Sequence, residues 1–231
     1  MTDAQALDVR LIASKTYKDT GLGHGTDHLL RVEAMALRFL PEGGDRNIAS
    51  AVAMLHDADD YKLVPKDIDP DLLPNATDIL NTAGVLKDDQ EYVKACIRTI
   101  GYSKRLAGVM PTAPEAMAVS DADMCEILGA DGLMRLAEWR HGRMSDVFRP
   151  DALPNPDKSL EEYRSARGNT IVEHLFEKVL KLPGLMLTEA GRMEAYVRWQ
   201  FDVAFLQELF RERGEDRWSA YLKRYLEKYP V

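Results

Sequence analysis

Histidines and carboxylates set on otherwise apolar helical stripes are the first chemical signal in this chain. His28 opens the series His28, Val32, Met35 and Phe39 at i, i+4, i+7 and i+11, the spacing of one helix face. His56 stands one turn beyond Val52 in the series Ile48, Val52, Leu55, and Asp57 follows it directly. Further on, EAMAVSDADMCEILGA is apolar nearly all round, as a helix buried on most sides is, yet it carries Asp121, Asp123 and Glu126. A carboxylate in such a setting needs a cation or a metal beside it. One divalent metal held by two imidazoles and two carboxylates accounts for His28, His56, Asp57 and Asp123 together, with Asp121 open as the alternative to Asp123. Mixed nitrogen and oxygen ligation suits Mn²⁺, Fe²⁺, Co²⁺, Ni²⁺ or Zn²⁺, and ligands drawn from three helices would pin those helices together. The competing account of Asp57, Asp59 and Asp60 is a solvated acidic run at a helix C-terminus, where the macrodipole disfavours negative charge.

The elements that must carry these side chains read as helices throughout. Asp3–Tyr17 is expected to be amphipathic with Leu7, Leu11 and Ile12 inward, and the turn GLGHG leaves His24 on a glycine-flanked loop. Thr26 or Asp27 is available to cap the helix that carries His28. The segment VPKDIDPDLLPN reads as an exposed connection, followed by helices near Ala76–Val85 and over Lys87–Ile100, the second with Tyr92, Cys96 and Ile100 on one stripe. GYSKRLAGVMPTAP reads as a loop that closes in a Thr112–Glu115 capping box and opens the Asp121/Asp123 helix, which is expected to run to the GA of ILGA. A short helix over GLMRLAEWRHG and a loop over 145–158 follow, and a Ser159–Glu162 capping box opens a helix expected to reach about Leu182. Thr188 begins a long helix with Tyr196, Trp199, Val203 and Leu206 as its inner face. The amphipathic tail Trp218–Tyr229 suits either a cover for the core or a contact with a second copy in a homodimer. No stretch alternates with period two for long enough to make a strand, so the fold class is all-α.

Composition narrows the function classes. The 231 residues are 45% hydrophobic, enough for a sizeable core, and no apolar run approaches the roughly 18–20 residues that span a bilayer. The two cysteines, Cys96 and Cys125, lack metal-ligand spacing and read as inert thiols of a cytoplasmic protein. A formal net charge of −8 disfavours a general grip on polymeric nucleic acid. It leaves room for a small phosphorylated ligand, whose charge a few local cations or a metal can offset.

Taken in order, His28 in HLLRV, His56-Asp57 in AMLHDADD and Asp123 in SDADMCEILGA resemble the H…HD…D signature of the HD superfamily of metal-dependent phosphohydrolases. The likeness is closer to a bacterial subgroup with three patterns: H-x-x-x-H (His24, His28), HD-x-x-D-x-K (His56, Asp57, Asp60, Lys62) and DAD-x-x-x-x-x-GA. A downstream segment, HLFEKVLKLPGLMLTEAGR, is similar as well and carries His174 and Lys178 one turn apart; the likeness spans roughly Leu22–Phe210.

This resemblance implies an HD-domain helical bundle: a single domain over 1–231, with a core over about 22–130 and a helical extension over about 131–231 packed on it. It implies one metal on His28, His56, Asp57 and Asp123, with Mn²⁺ foremost and Fe²⁺, Co²⁺, Ni²⁺, Mg²⁺ or Zn²⁺ as alternatives. Asp123 takes precedence because the second Asp of DAD matches the family's metal position, leaving Asp121 as its neighbour or as partner to a cation. Binuclear members need further histidines between the HD doublet and the final Asp, and none lies between His56 and His141. An iron oxygenase on this fold would need that second metal too. The implied roles are proton transfer by Asp60 beside Asp57, and substrate contacts from His24, Arg31, Lys62, His174 and Lys178. Gly101 in IGYSK departs from the subgroup, which often has a histidine or another polar residue there. The implied function is hydrolysis of a small phosphorylated compound, foremost a nucleotide, as phosphatase or pyrophosphohydrolase. The alternative is a non-catalytic metal-binding or regulatory module.

Overall fold

Small side chains, more than leucines, decide how the first helix packs. In the computed structural model, which describes residues 1–18, 25–59, 69–140, 146–159, 161–162 and 170–231, helix α1 (Asp3–Thr16) buries Ala6, Val9 and Ala13. Leu7 and Leu11, expected inward, are 52% and 47% exposed. Alanines let α1 approach α3 (Arg46–Leu55) closely, and a leucine on that face would hold the two backbones apart. Helix α2 (Thr26–Phe39) also packs on α3 and buries the expected stripe His28, Val32, Met35, Phe39. Its N-cap is Gly25, not Thr26 or Asp27; the Thr26 hydroxyl instead donates to the Ser14 carbonyl, tying α2 to the end of α1. Every residue of α3 from Ile48 to Leu55 is buried, which makes α3 the axis of its unit.

The chain forms two compact units, residues 1–123 and 124–231. The first continues with α4 (Pro74–Thr82) and α5 (Lys87–Ile97), whose inner face is Gln90, Val93, Lys94, Cys96 and Ile97, while Tyr92 stands 42% exposed. Within the expected GYSKRLAG loop lies a short helix, α6 (Tyr102–Leu106). Helix α7 (Pro114–Cys125) carries Asp121 and Asp123 and ends four residues before Gly129. The Glu115 carboxylate does not serve the expected capping box: it accepts from the Asp45 backbone N–H (2.7 Å) and the Tyr92 hydroxyl (2.9 Å).

In the second unit, the GA of ILGA opens a new helix, α8 (Gly129–Arg140), after a tight turn. The Ser159–Glu162 box forms as expected, but Thr170 and Glu173 make a second box that starts α9 (Ile171–Glu177), so no single helix runs to Leu182. A 3₁₀ segment (Val179–Leu185), α10 (Glu189–Arg213) and α11 (Asp216–Lys228) follow. On α10 the buried residues include Ala195, Asp202, Val203, Leu206 and Phe210, and Tyr196 turns outward to stack on Trp199. Phe148, Phe176, Phe210 and Trp218 pack ring on ring in this unit, so Trp218 and Tyr225 cover its core. No strand occurs among the described residues, and no helix among them is long and apolar enough to cross a membrane.

Candidate metal centre

Three helices of the first unit bring four side chains to one point. His28 comes from the first turn of α2, His56 is the C-cap of α3 with Asp57 just beyond it, and Asp123 comes from the last turn of α7. The Nε2 atom of His28 lies 3.5 Å from Asp57 Oδ2 and 3.7 Å from Asp123 Oδ1. The Nε2 atom of His56 lies 3.6 Å from each of the same two oxygens. The imidazoles meet edge to face, with centroids 5.3 Å apart. These separations are too long for good hydrogen bonds. They approximate the spacing of neighbouring ligands on one ion with bonds of about 2.1 Å.

The tautomer of His56 sharpens the point. Its Nδ1 lies 2.7 Å from the Ala53 carbonyl, which can only accept, so Nδ1 carries the proton and Nε2 of the neutral ring presents a lone pair. That Nε2 is buried and has no hydrogen-bond partner. A lone pair and two carboxylate oxygens facing each other in a buried space repel unless a cation sits among them. A proton can play that part. Burial pushes His56 toward neutrality, yet the charges of Asp57 and Asp123 outweigh it and raise its pKa to about 10. Burial likewise raises the Asp123 carboxyl, but His56 and then His28 hold it below the ordinary carboxylate range. A divalent metal satisfies the same four groups better than one proton can, and His28, His56 and Asp123 have the mutual closeness such an ion requires. The histidine side chains are 4% and 1% exposed, those of Asp57 and Asp123 17% and 29%, so solvent reaches the carboxylate side.

The turn that presents His56-Asp57 is braced by groups the sequence did not advertise. Asp59, read with Asp57 and Asp60 as an acidic run, is buried and accepts from the Asn75 and Ala76 backbone N–H groups (2.9 Å each). It thereby caps α4, whose own N-cap position is Leu73 with no side-chain bond. Asn75 and Tyr17 both donate to the Ala58 carbonyl, at 3.0 and 3.4 Å. Burial, with help from Asp59, raises the Tyr17 hydroxyl to about 12, so it stays a donor. The legible signal was a Pro-Asn helix start without a capping residue of its own.

Of the other expected site residues, Arg31 lies on α2 one turn after His28 and pairs with Asp27. His24, Asp60 and Lys62 lie outside the described residues. His174 in α9 and Lys178 at its C-cap belong to the second unit, half-buried and one turn apart, with the Lys178 N–H donating to the His174 carbonyl. Asp121 is fully buried, as one carboxylate of this helix had to be.

The all-α fold is similar to that of HD-domain proteins of solved structure. A solved structure from Lactobacillus plantarum is 28% identical over 93% of this chain and 98% of its own, with a TM-score of 0.80. An HD-superfamily hydrolase from Bacillus thuringiensis is 25% identical, with a TM-score of 0.67 over 91% of this chain and 97% of its own. The curated Bacillus subtilis protein YpgQ is 25% identical over 90% of this chain and 93% of its own. A structure of YpgQ in complex with ADP shares the fold, with a TM-score of 0.63, 23% identity, and coverage of 90% of this chain and 97% of its own. No family model matches the sequence.

Proposed function

We propose that this protein is a mononuclear metal-dependent phosphohydrolase acting on a small phosphorylated compound, most simply a nucleotide. The observation that carries the reading is the orphaned, buried His56 Nε2 facing two partly exposed carboxylates and a second imidazole. His28, His56, Asp57 and Asp123 would hold one divalent ion, with Mn²⁺ the first candidate. When bound, that ion lowers the pKa of a water ligand and polarises a phosphoryl oxygen. The likeness to a structure described as an HD-superfamily hydrolase supports a hydrolase, and the ADP complex of YpgQ supports a nucleotide ligand.

The chain's own residues divide the remaining work. His56 is locked by the Ala53 carbonyl so that Nε2 faces the centre, which sets the ring before any ligand arrives. Asp57 would serve as a ligand and orient the attacking water. Asp60, three residues on, would take the water's proton or return it to the leaving group. Arg31, Lys62 and His24 would neutralise and hydrogen-bond the substrate phosphates, and His174 and Lys178 are the further candidates for substrate contact.

The test is product analysis with nucleoside mono-, di- and triphosphates and Mn²⁺ or Co²⁺, run beside Asp57→Ala and Asp60→Ala. The expected result is phosphate or pyrophosphate release, abolished in Asp57→Ala together with metal occupancy. Asp60→Ala should lose turnover while keeping the metal. Full metal occupancy in Asp57→Ala would refute the ligand assignment.

A further inference from the structure

Arg105 is a buried cation that the reaction as proposed does not use. It lies on α6 and is 8% exposed. One Nη donates to the Ser120 hydroxyl (3.1 Å) and the other to the Met110 sulfur (3.1 Å), while Nε has no partner. The negative charge of Asp121 acts on the guanidinium and opposes the effect of its burial. Ser120 and Asp121 are both fully buried on α7. Ser120 lies one turn before Asp123, and Asp121 lies about 200° round the helix from it, at 3.6 residues per turn. A buried arginine thus grips α7 in the turn that precedes a candidate metal ligand.

We propose that Arg105 is a positioning residue for Asp123: buried and held to Ser120, it fixes the rotation of α7 about its own axis and so the place of the Asp123 carboxylate. Helix geometry shows why this matters. A carboxylate about 5–6 Å from the helix axis moves about 2 Å for a rotation of about 20°. Metal–ligand distances tolerate only about 0.2 Å. Helix α7 is apolar nearly all round, so hydrophobic burial alone defines its rotation weakly. A directional hydrogen bond from a buried guanidinium defines it more strongly. The guanidinium suits the task because its planar fork reaches two acceptors at once, which an ammonium on a flexible stem does not do in fixed geometry. This inference rests on the metal reading given above.

The test compares Mn²⁺ affinity, by electron paramagnetic resonance of free Mn²⁺, in wild type, Arg105→Met, Arg105→Lys, Asp121→Asn and the Arg105→Met/Asp121→Asn double variant. Each is measured where circular dichroism shows it folded. Gln90→Leu serves as control, since it removes hydrogen bonds to Asn81 and Val85 and so destabilises the same unit at the junction of α4 and α5. Arg105→Met is expected to weaken Mn²⁺ binding by about 10- to 100-fold, the range for groups that orient metal ligands. Arg105→Lys should fall between it and wild type, Gln90→Leu should match wild type, and the double variant should bind no more weakly than Arg105→Met. Wild-type affinity in folded Arg105→Met, or equal losses in Arg105→Met and Gln90→Leu, would overturn the proposal. Should Arg105→Met fail to fold, Arg105→Lys and the double variant carry the same comparison, because one keeps a cation and the other removes both buried charges. Wild-type protein that binds Mn²⁺ but hydrolyses none of the nucleotides overturns only the substrate reading. Wild-type protein that binds no Mn²⁺ overturns both.

Discussion

Two buried aspartates outside the candidate metal centre have measurable consequences for stability. Asp59 caps α4 from a distance through the N–H groups of Asn75 and Ala76, and its removal leaves two helix-terminal donors without an acceptor. Asp59→Ala should lower stability by about 1–2 kcal/mol, read as a lower urea midpoint, and Asp59→Asn, which keeps one oxygen acceptor, should lose less. Asp202 is fully buried on α10, and both its oxygens accept from the Gly129 N–H, at 3.1 and 3.0 Å. Burial raises its pKa to about 7, against the opposing effects of Gly129 and Arg198. Between about pH 4 and pH 7 the unfolded chain has released this proton while the folded chain retains it, so stability falls as pH rises through that window. The slope approaches about 1.4 kcal/mol per pH unit. Asp202→Asn should flatten it and be more stable than wild type at pH 8, as urea melts at pH 5 and pH 8 would show; parallel pH dependence in the two proteins would refute it.

At the scale of elements, the junction of α7 and α8 depends on glycine. Gly129 has φ +78°, a left-handed conformation that disfavours side chains, and a Cβ there would also come within 3.2 Å of the Arg198 side chain. At Gly132 a Cβ would lie 2.3 Å from the backbone carbonyl of Ile127, which belongs to the turn itself. That turn begins three residues after Asp123. Gly132→Ala should therefore destabilise by about 1–3 kcal/mol, despite alanine's better helix propensity. Thermal melts check the sign: a stabilised variant would mean that the turn yields easily.

At the scale of the whole molecule, all four candidate ligands lie in the first unit, residues 1–123. Metal stabilisation should belong to that unit, amounting to about 2.7 kcal/mol at a free metal concentration about 100 times Kd. Hydrogen exchange with and without Mn²⁺ should show added protection in α2, α3 and α7. Protection confined to the second unit would refute the placement of the site. His56→Ala should abolish the gain altogether.

The sequence by itself determined the helical class and singled out the candidate ligands. Helical periodicity exposed His28 and His56 as polar residues on apolar stripes and put Asp57 next to His56, because each of these signals lies within a few residues of chain, while the family resemblance chose Asp123 over Asp121. It also implied that a cation must meet a carboxylate buried on α7. Only the tertiary structure decided that a buried Arg105 is held to Ser120 beside Asp121, that Asp59 caps a helix sixteen residues away, and that Ala6, Val9 and Ala13 rather than Leu7 and Leu11 face the core. The tertiary structure also placed Glu115 on the Asp45 N–H rather than in a local capping box. The reason is the same in each case. A carboxylate or a helix face chooses among partners far away in sequence by desolvation and close packing, and periodicity records that a face is buried but not against what.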